Sequence, residues 1–225
     1  MIFVFDLDDT LYDELTYVES GFTAVANFVG DSFGLDKSDL LDGFLACLRS
    51  EGRGTVFDSV LKAHDLPVER LVRECVAIYR SHVPNLEPYA AAVRALDDLA
   101  GHPLYLVTDG YPMVQQTKII SLGISERFTE MFITSAFGAD YEKPALRCFE
   151  MITALAGQPI SSLCYIGDNP AKDFVGLNSV GAVTIRVRTG QHARVNAKPG
   201  YDASHSIDDL DSLIEMITMS RLLEK

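Results

Sequence analysis

Three aspartates crowd the segment FDLDDTLYDE, residues 5–14, directly after the apolar residues MIFV. Asp6, Asp8 and Asp9 lie within four consecutive positions, and like charges at such short range repel one another. A cluster of this kind becomes favourable when a cation or a lysine offsets its charge. The spacing therefore predicts a positive partner, or a reactive carboxylate, immediately after the first apolar segment.

Polar residues also stand at the ends of later strand-like segments. Thr108 closes LYLVT, Lys143 opens the helical stretch that follows a third apolar segment, and Asp168 comes directly after LCYIG. The carboxyl ends of parallel strands face one edge of a sheet, where open α/β folds bind their ligands. We therefore expect these three side chains to converge with Asp6 and Asp8.

Several carboxylates with no histidine or cysteine among them suit a hard cation, and Mg²⁺ is the usual one beside phosphate. A nearby lysine would hold an anion, while a threonine hydroxyl and backbone N–H groups could complete a phosphate cradle. A carboxylate can also attack phosphorus, which gives an aspartyl-phosphate that water later hydrolyses. The sequence contains no G-x-x-x-x-G-K-[ST] loop and no Ser-His-Asp arrangement that would compete for this role.

The segments that must position these residues alternate between helix and strand from residue 88 onward. Helical spacing of apolar residues is found at 89–100, 112–123, 144–157, about 170–180 and 207–224. Short, nearly continuous apolar runs predict buried strands at 104–108, 131–134, 163–167 and 183–187. With residues 1–5 as a further strand, the pattern predicts an α/β fold, a three-layer α/β/α Rossmann-like parallel sheet.

An all-helical block at residues 14–83 interrupts this alternation. Its helical patterns span about 15–33, 38–48, 55–64 and 68–82. The predicted organisation is a Rossmann-like catalytic core, residues 1–13 and 84–225, with an inserted α-helical cap domain at 14–83. Because the insertion follows the first strand, it leaves from the edge of the sheet that binds ligands, and we expect it to act as a lid.

Four ordered motifs carry a resemblance to a known family. They are D-x-D-x-T at 6–10, T-D-G at 108–110, K-P at 143–144 and G-D-x-x-x-x-D at 167–173. Together they resemble the motifs of the haloacid dehalogenase superfamily, over nearly the whole chain, and the insertion is similar to its small α-helical cap. The superfamily's dehalogenases lack an acid two positions after the nucleophile. Asp8 therefore favours the phosphatase branch, in which an alkoxide leaving group needs a proton.

The resemblance implies a role for each motif residue. Asp6 would be the nucleophile and a Mg²⁺ ligand. Asp8 would act as general acid and then as general base, with its backbone carbonyl touching the metal. Thr108 would bind the transferring phosphoryl group, Lys143 would stabilise Asp6 and the phosphate, and Asp168 would coordinate Mg²⁺.

The remaining site predictions concern one further acid and the substrate. Asp173 is counted with the metal site and is expected to orient a water molecule or Lys143 from behind the ligands. Substrate contacts are predicted at three motif positions and at one arginine on a glycine-flanked loop of the insertion: Leu7, Asp109, Gly110 and Arg53. Gln115 and Lys118 are expected on a helix surface, and the arginines of 186–194 in a solvated loop.

Composition excludes some partners. A formal charge of −13 argues against a nucleic-acid surface, which needs clustered lysine and arginine. No apolar run approaches the roughly 20 residues of a membrane helix. The four cysteines are far apart and form no C-x-x-C pair, which predicts reduced thiols in a cytoplasmic protein. A monomer or a homodimer is expected.

The predicted activity is Mg²⁺-dependent removal of phosphate from a small phosphorylated metabolite, a sugar phosphate or a nucleoside monophosphate, through an aspartyl-phosphate. Two alternatives remain open at this point. A phosphomutase on the same scaffold would return the phosphoryl group to the sugar. A catalytically idle protein would bind phosphate for regulation.

Overall fold

A computed structural model describes residues 1–219 of the chain. The chain divides into two compact units, of which the first comprises Met1–Glu14 and the segment from Leu86 onward, and the second comprises Leu15–Asn85. Each unit has a buried apolar core of its own. The assignment of the helical segment as a cap, with boundaries at residues 14 and 83, stays a prediction.

The secondary-structure elements of the described chain alternate as expected after the helical block. The strands are β1 (Ile2–Phe5), β2 (Leu104–Thr108), β3 (Glu130–Ile133), β4 (Leu163–Gly167), β5 (Val183–Val187) and β6 (His205–Ile207). The α-helices are α1 (Glu14–Phe33), α2 (Lys37–Glu51), α3 (Val56–Ala63), α4 (Val68–Ser81), α5 (Ala90–Asp98), α6 (Pro112–Leu122), α7 (Arg147–Ala156), α8 (Val175–Ser179) and α9 (Leu213–Met219).

The first unit is a six-stranded sheet in the order β3-β2-β1-β4-β5-β6, and the strand pairs are parallel. Helices cover both faces, so strands β1, β2 and β4 are buried along their whole length. On one face, Val4, Tyr105, Phe149 and Tyr165 pack in a single apolar cluster. Burial on both faces explains the continuous apolar runs of these strands. The predicted α/β/α parallel sheet is confirmed.

The second unit consists of the helices from α1 to α4. Aromatic rings from three of them pack together, with the centroids of Phe22 and Phe44 5.5 Å apart and those of Phe44 and Phe57 5.4 Å apart. Asp36 begins α2, since its carboxylate accepts hydrogen bonds from the backbone N–H groups of Ser38 and Asp39. The unit therefore has both a core and helix caps of its own.

Two predicted helices are shorter in the structure than in the sequence pattern. The helix expected at about 170–180 is confined to α8, because a tight turn joins Asn169 and Asp173 by hydrogen bonds in both directions. The helix expected at 207–224 begins only at Leu213, and its part beyond Met219 lies outside the described residues. The edge strand β6 was not predicted, since its three residues form no apolar run.

The structure also bears on the compositional predictions. Cys47, Cys75, Cys148 and Cys164 are free and buried, as expected of core thiols. Among the helices of residues 1–219, none is both long enough and apolar enough to cross a bilayer. Cytoplasmic location and the oligomeric state stay predictions.

Candidate active site

The carboxyl ends of the three central strands bring the polar motif residues together. Asp6 follows β1, Thr108 ends β2 and Asp168 follows β4, with β1 lying between the other two strands. The backbone N–H of Asp6 donates to the carbonyl of Ile166 at 2.8 Å, which fixes the exit from β1 against β4. This edge of the sheet is where a parallel α/β fold forms its ligand crevice.

Lys143 is the positive centre of this region. Its buried ammonium lies 2.8 Å from a carboxylate oxygen of Asp6 and 2.8 Å from one of Asp173, and it donates to the hydroxyl of Tyr165 at 2.9 Å. Burial alone would lower the pKa of Lys143, but the two carboxylates outweigh burial and the pKa lies well above its usual value. Lys143 is therefore a fixed cation that holds Asp6 in place.

Negative charge exceeds positive charge around Asp6. Carboxylate oxygens of Asp6, Asp168 and Asp173, all buried, lie within 4.8 Å of one another. Burial and the neighbouring carboxylates raise the pKa of Asp168 to about 9, and burial raises the pKa of Asp6 to about 7 despite Lys143. Within residues 1–219, the carboxylate of Asp168 receives neither a hydrogen bond nor an ion pair. A divalent cation would supply the missing partner.

Asp173 differs from the other two acids because protein donors occupy both of its oxygens. One oxygen faces Lys143 and accepts from Tyr165 at 3.3 Å, and the other accepts from the backbone N–H of Asn169 at 2.8 Å. A Cβ at Gly167 would come within 2.6 Å of Asp173, so glycine is required for this approach. Asp173 thus braces Lys143 and the turn after β4.

Asp8 lies apart from that carboxylate cluster and has its own donors. One oxygen accepts from the Tyr12 hydroxyl at 2.6 Å and from Lys118 at 2.7 Å, and the other accepts from Gln115 at 2.8 Å. Burial raises the pKa of Asp8, but Lys118 and the hydrogen bonds outweigh burial, so the pKa lies below its usual value. Lys118 also contacts Glu14, at 3.3 Å. The surface positions expected for Gln115 and Lys118 are therefore wrong, since both are buried against Asp8.

Thr108 and Gly110 meet the same glutamine. The Gln115 amide donates to the Thr108 hydroxyl oxygen at 2.6 Å. Gly110 has a φ of 132°, which favours glycine, and a Cβ there would meet the Gln115 side chain at 3.1 Å. Gly110 therefore leaves room for Gln115, in addition to the substrate contact predicted for it.

Asp109 is held on both oxygens by residues of neighbouring loops. One oxygen accepts from the Thr134 hydroxyl at 2.6 Å and from the backbone N–H of Lys143 at 3.1 Å, and the other pairs with Lys172 at 3.0 Å. Burial raises the pKa of Asp109, but Lys143 and Lys172 outweigh burial and the pKa lies below its usual value. These contacts connect the loops after β2, β3 and β4. Substrate binding by Asp109 stays a prediction.

The remaining predicted site residues lie in different settings. The side chain of Leu7 is fully buried, which leaves only its backbone for a ligand contact. Asp9, with a φ of 55°, accepts hydrogen bonds from the N–H groups of Glu14 and Gln191. It therefore holds the turn after β1. Arg53 belongs to the second unit, where it is exposed beside a cavity of about 230 Å³.

Comparison with known proteins identifies the family. Residues 1–181 match the family of haloacid dehalogenase-like hydrolases. The chain belongs to this family. The resemblance seen in the motifs is thereby confirmed, and the chain is a hydrolase.

Individual relatives agree with this assignment. The hydrolase is 27% identical to the glyceraldehyde 3-phosphate phosphatase of Methanocaldococcus jannaschii, over 99% of this chain and 97% of the relative. It is 31% identical to the phosphoserine phosphatase of Thermus thermophilus over 65% of this chain and 58% of the relative. The crystal structure of the hydrolase YfnB from Bacillus subtilis, bound to magnesium, has the same fold, with a TM-score of 0.67 at 17% identity over 96% of this chain and 97% of that protein.

Six residues whose side chains contact the motif side chains of the hydrolase were not predicted as site residues. They are Gln115, Lys118, Tyr12, Thr134, Tyr165 and Lys172. A signal for the first two is present in the sequence, because positions 115, 118, 119 and 122 follow the i, i+3, i+4, i+7 spacing of a buried helix face. Polar residues on an otherwise apolar stripe need buried partners. Asp8, Thr108 and Glu14 are those partners.

Proposed function

We propose that this hydrolase is a phosphatase that removes phosphate from a small phosphorylated metabolite, with Asp6 as the attacking nucleophile and Mg²⁺ as the cofactor. The observation that supports the proposal best is the placement of the Lys143 ammonium 2.8 Å from Asp6, beside the additional buried carboxylate of Asp168. Relatives that span nearly the whole chain are named as phosphatases of a three-carbon sugar phosphate.

The donor set fits a magnesium ion. Asp6 and Asp168 would hold it, because they contribute buried carboxylate oxygens in excess of the nearby positive charge. Asp173 contributes by holding Lys143, since its oxygens already accept protein hydrogen bonds. The backbone carbonyl of Asp8 remains a proposed ligand. When bound, the ion would offset negative charge on the phosphoryl oxygens.

The first half of the proposed reaction transfers the phosphoryl group to Asp6. A carboxylate oxygen of Asp6 forms a bond to phosphorus, and the bond from phosphorus to the ester oxygen breaks. Lys143 and the Thr108 hydroxyl offset the charge of the transferring group. The arriving phosphate adds negative charge near Asp8 and raises the pKa of Asp8, so that Asp8 takes up a proton from solvent before it gives that proton to the leaving oxygen.

The second half returns the enzyme to its starting state. Asp8, now ionised, takes a proton from a water molecule whose oxygen forms a bond to phosphorus. The bond from phosphorus to the Asp6 oxygen breaks, inorganic phosphate leaves, Asp6 is again a free carboxylate, and Asp8 passes the proton that it took from water to the solvent. The hydrogen bonds that hold Asp8 in its ionised form suit it to this step.

Phosphate release from a panel of esters tests the proposal. The panel contains glyceraldehyde 3-phosphate, phosphoserine, hexose phosphates and nucleoside monophosphates, each with Mg²⁺ and with a chelator. We expect release of inorganic phosphate from at least one three- to six-carbon ester, and loss of that release with the chelator. Conversion of an ester to its isomer without net release would favour a phosphomutase. No product from any ester in Mg²⁺ would favour an idle phosphate-binding protein.

Replacing Asp8 should slow the hydrolysis of esters with a poor leaving group more than that of esters with a good one. Asp8→Asn cannot donate the proton, so kcat for an alkyl phosphate should fall by about 10²–10⁴-fold. With p-nitrophenyl phosphate, the rate of the first half of the reaction, which transfers the phosphoryl group to Asp6, should fall much less, because nitrophenolate leaves without a proton. Rapid-quench measurement of the nitrophenol burst isolates that half. An alkyl phosphate hydrolysed by Asp8→Asn at the parent rate would refute the acid role.

The metal-free protein should become less stable as the pH rises. The pKa of Asp168 is raised from 3.8 to about 9, so the folded chain keeps a proton that the unfolded chain has already lost. The free energy of unfolding therefore falls as the pH rises between those two values. Asp168→Asn cannot ionise and should be more stable than the parent by about 1–3 kcal/mol at the upper end of this range.

Urea unfolding with a chelator and with Mg²⁺ checks this prediction. Mg²⁺ should stabilise the parent increasingly as the pH rises, since carboxylates must lose their protons to bind it. Asp168→Asn should lose most of that gain. Asp98→Asn, which removes an exposed carboxylate on α5, is the control and should keep it. Parallel pH slopes for the parent and Asp168→Asn in the chelator would contradict the assigned role of Asp168.

A further inference from the structure

Two polar side chains on one face of α6 are buried where apolar residues would be expected. Gln115 and Lys118 are one turn apart, and each is almost fully buried. Their neighbours on the same face, Ile119 and Leu122, are apolar core residues. Burying an ammonium costs free energy that an apolar side chain of the same size would not cost. The pair therefore calls for an explanation other than packing.

Both side chains converge on one carboxylate, that of Asp8. Lys118 and the Tyr12 hydroxyl contact one oxygen at 2.7 and 2.6 Å, and the Gln115 amide contacts the other at 2.8 Å. A carboxylate held on both oxygens from different directions has its side-chain rotamer fixed. Lys118 is itself fixed by a second ion pair, to Glu14 at 3.3 Å. Asp8 is thus the one acid of the D-x-D motif whose carboxylate is kept outside the cluster around Asp168.

We infer that Lys118 and Gln115 are positioning residues that hold the Asp8 carboxylate in one orientation, where it serves the leaving oxygen and does not become a further ligand of the metal cluster. This inference rests on the proposed function, and it assigns residues that the motifs do not include. Two carboxylates only two positions apart need different surroundings to take different roles. Lys143 provides the surroundings of Asp6, and α6 provides those of Asp8.

Gln115 also links Asp8 to the phosphoryl-binding residue. Its Nε2 has two protons, one directed to Asp8 at 2.8 Å and the other to the Thr108 hydroxyl oxygen at 2.6 Å. Because the Thr108 oxygen is an acceptor in that bond, its own proton points elsewhere; its other contact is a long one, 3.4 Å to the Asp109 carbonyl. A phosphoryl oxygen would be a better acceptor for this proton. One amide thus orients both a phosphate donor and the acid.

Leaving-group dependence tests the inference. Lys118→Met removes the ammonium and keeps the length of the side chain. We expect kcat/KM for glycerol phosphate to fall roughly 10- to 100-fold, the usual effect of a misplaced acid. The nitrophenol burst from p-nitrophenyl phosphate should change less than about threefold, since that step needs no proton. A purely structural role would lower both rates together.

Gln115→Leu provides a second variant, which keeps the buried ion pairs of Lys118 with Asp8 and Glu14. It should lower kcat for glycerol phosphate and also raise KM for both esters, because it releases Thr108 as well. The matched control is Gln116→Leu, at the adjacent position of α6, where the side chain is exposed. The control should behave like the parent with both esters. Thermal unfolding of each variant shows whether it is folded before rates are compared.

The outcomes separate this inference from the proposed function. Equal losses on both esters in folded Lys118→Met and Gln115→Leu, or rates like those of Gln116→Leu, would overturn the positioning role. If Asp8→Asn is selectively poor with glycerol phosphate while both α6 variants are not, the proposed function stands and only this inference falls. If the parent releases phosphate from no ester of the panel and from neither of these two esters, both fall together.

Discussion

Asp6→Asn should abolish turnover and leave the fold intact. An amide oxygen is a poor nucleophile toward phosphorus, and loss of an attacking group typically lowers kcat by 10⁴-fold or more, roughly. Asparagine has the shape of aspartate, so the contact with Lys143 can persist as a hydrogen bond. Because burial raises the pKa of Asp6 to about 7, removal of its charge should not destabilise the protein.

The measurement is single-turnover phosphate release, with thermal unfolding in parallel. Asp98→Asn removes the same charge from an exposed position on α5 and should keep activity within about threefold of the parent. Release by folded Asp6→Asn at a tenth of the parent rate or faster would show that another group attacks phosphorus.

Lys143→Met should cause a large loss of stability. It leaves the buried carboxylates of Asp6 and Asp173 without their shared cation, and breaking a buried ion pair from one side costs about 3–5 kcal/mol. The loss should grow as the pH rises, since Asp6 must then either ionise without its cation or keep a proton. Activity should fall as well, because Lys143 is placed to offset charge at the reacting phosphorus.

Urea unfolding of Lys143→Met beside Lys37→Met measures this effect. Lys37 and Asp31 lie 2.6 Å apart, closer than the pairs of Lys143, but both side chains are well exposed to solvent. Exposed pairs contribute at most about 1 kcal/mol, so Lys37→Met should be nearly neutral. If the free energy of unfolding fell by a similar amount in the two variants, burial of the Lys143 ion pairs would not explain the loss of stability.

Much of the fold was predictable because its strands are buried on both faces. The runs at 104–108, 163–167 and 183–187 match β2, β4 and β5 residue for residue. Continuous apolar character is a strong signal, and it comes from the helices on both sides of the sheet. The edge strand β6 has no such signal, because only one of its three residues is buried.

The convergence of Asp6, Lys143 and Asp168 was predictable from topology, since each lies in the stretch that follows a strand-like segment. What topology could not supply is the orientation of each side chain. The division of Asp6 and Asp8 between separate surroundings depends on Lys118 and Gln115, which are distant in sequence from both. The i, i+3 spacing of that pair on an apolar stripe was the available signal.

Arg186 shows a different limit of sequence reasoning. Its neighbours in 186–194 are mostly polar, which predicted a solvated loop, yet Arg186 is almost fully buried at the end of β5. Its guanidinium pairs with Asp202 at 3.2 Å and donates to the carbonyls of His192 and Val195. The prediction was wrong for this arginine, because a loop can supply buried acceptors that no local pattern reveals.

The most direct test of the account is chemical capture of the phosphorylated carboxylate. The enzyme is mixed with Mg²⁺ and its best ester from the panel, quenched in acid during turnover and reduced with borohydride, which converts an aspartyl-phosphate to homoserine. Peptide mass spectrometry then locates the modified residue. We predict homoserine at position 6 of the parent and none at that position in Asp6→Asn. Homoserine at another position would contradict a phosphorylated Asp6. The same holds if Asp6 is unmodified in enzyme that was quenched while it released phosphate from an ¹⁸O-labelled ester, and if that release shows no burst of the alcohol product.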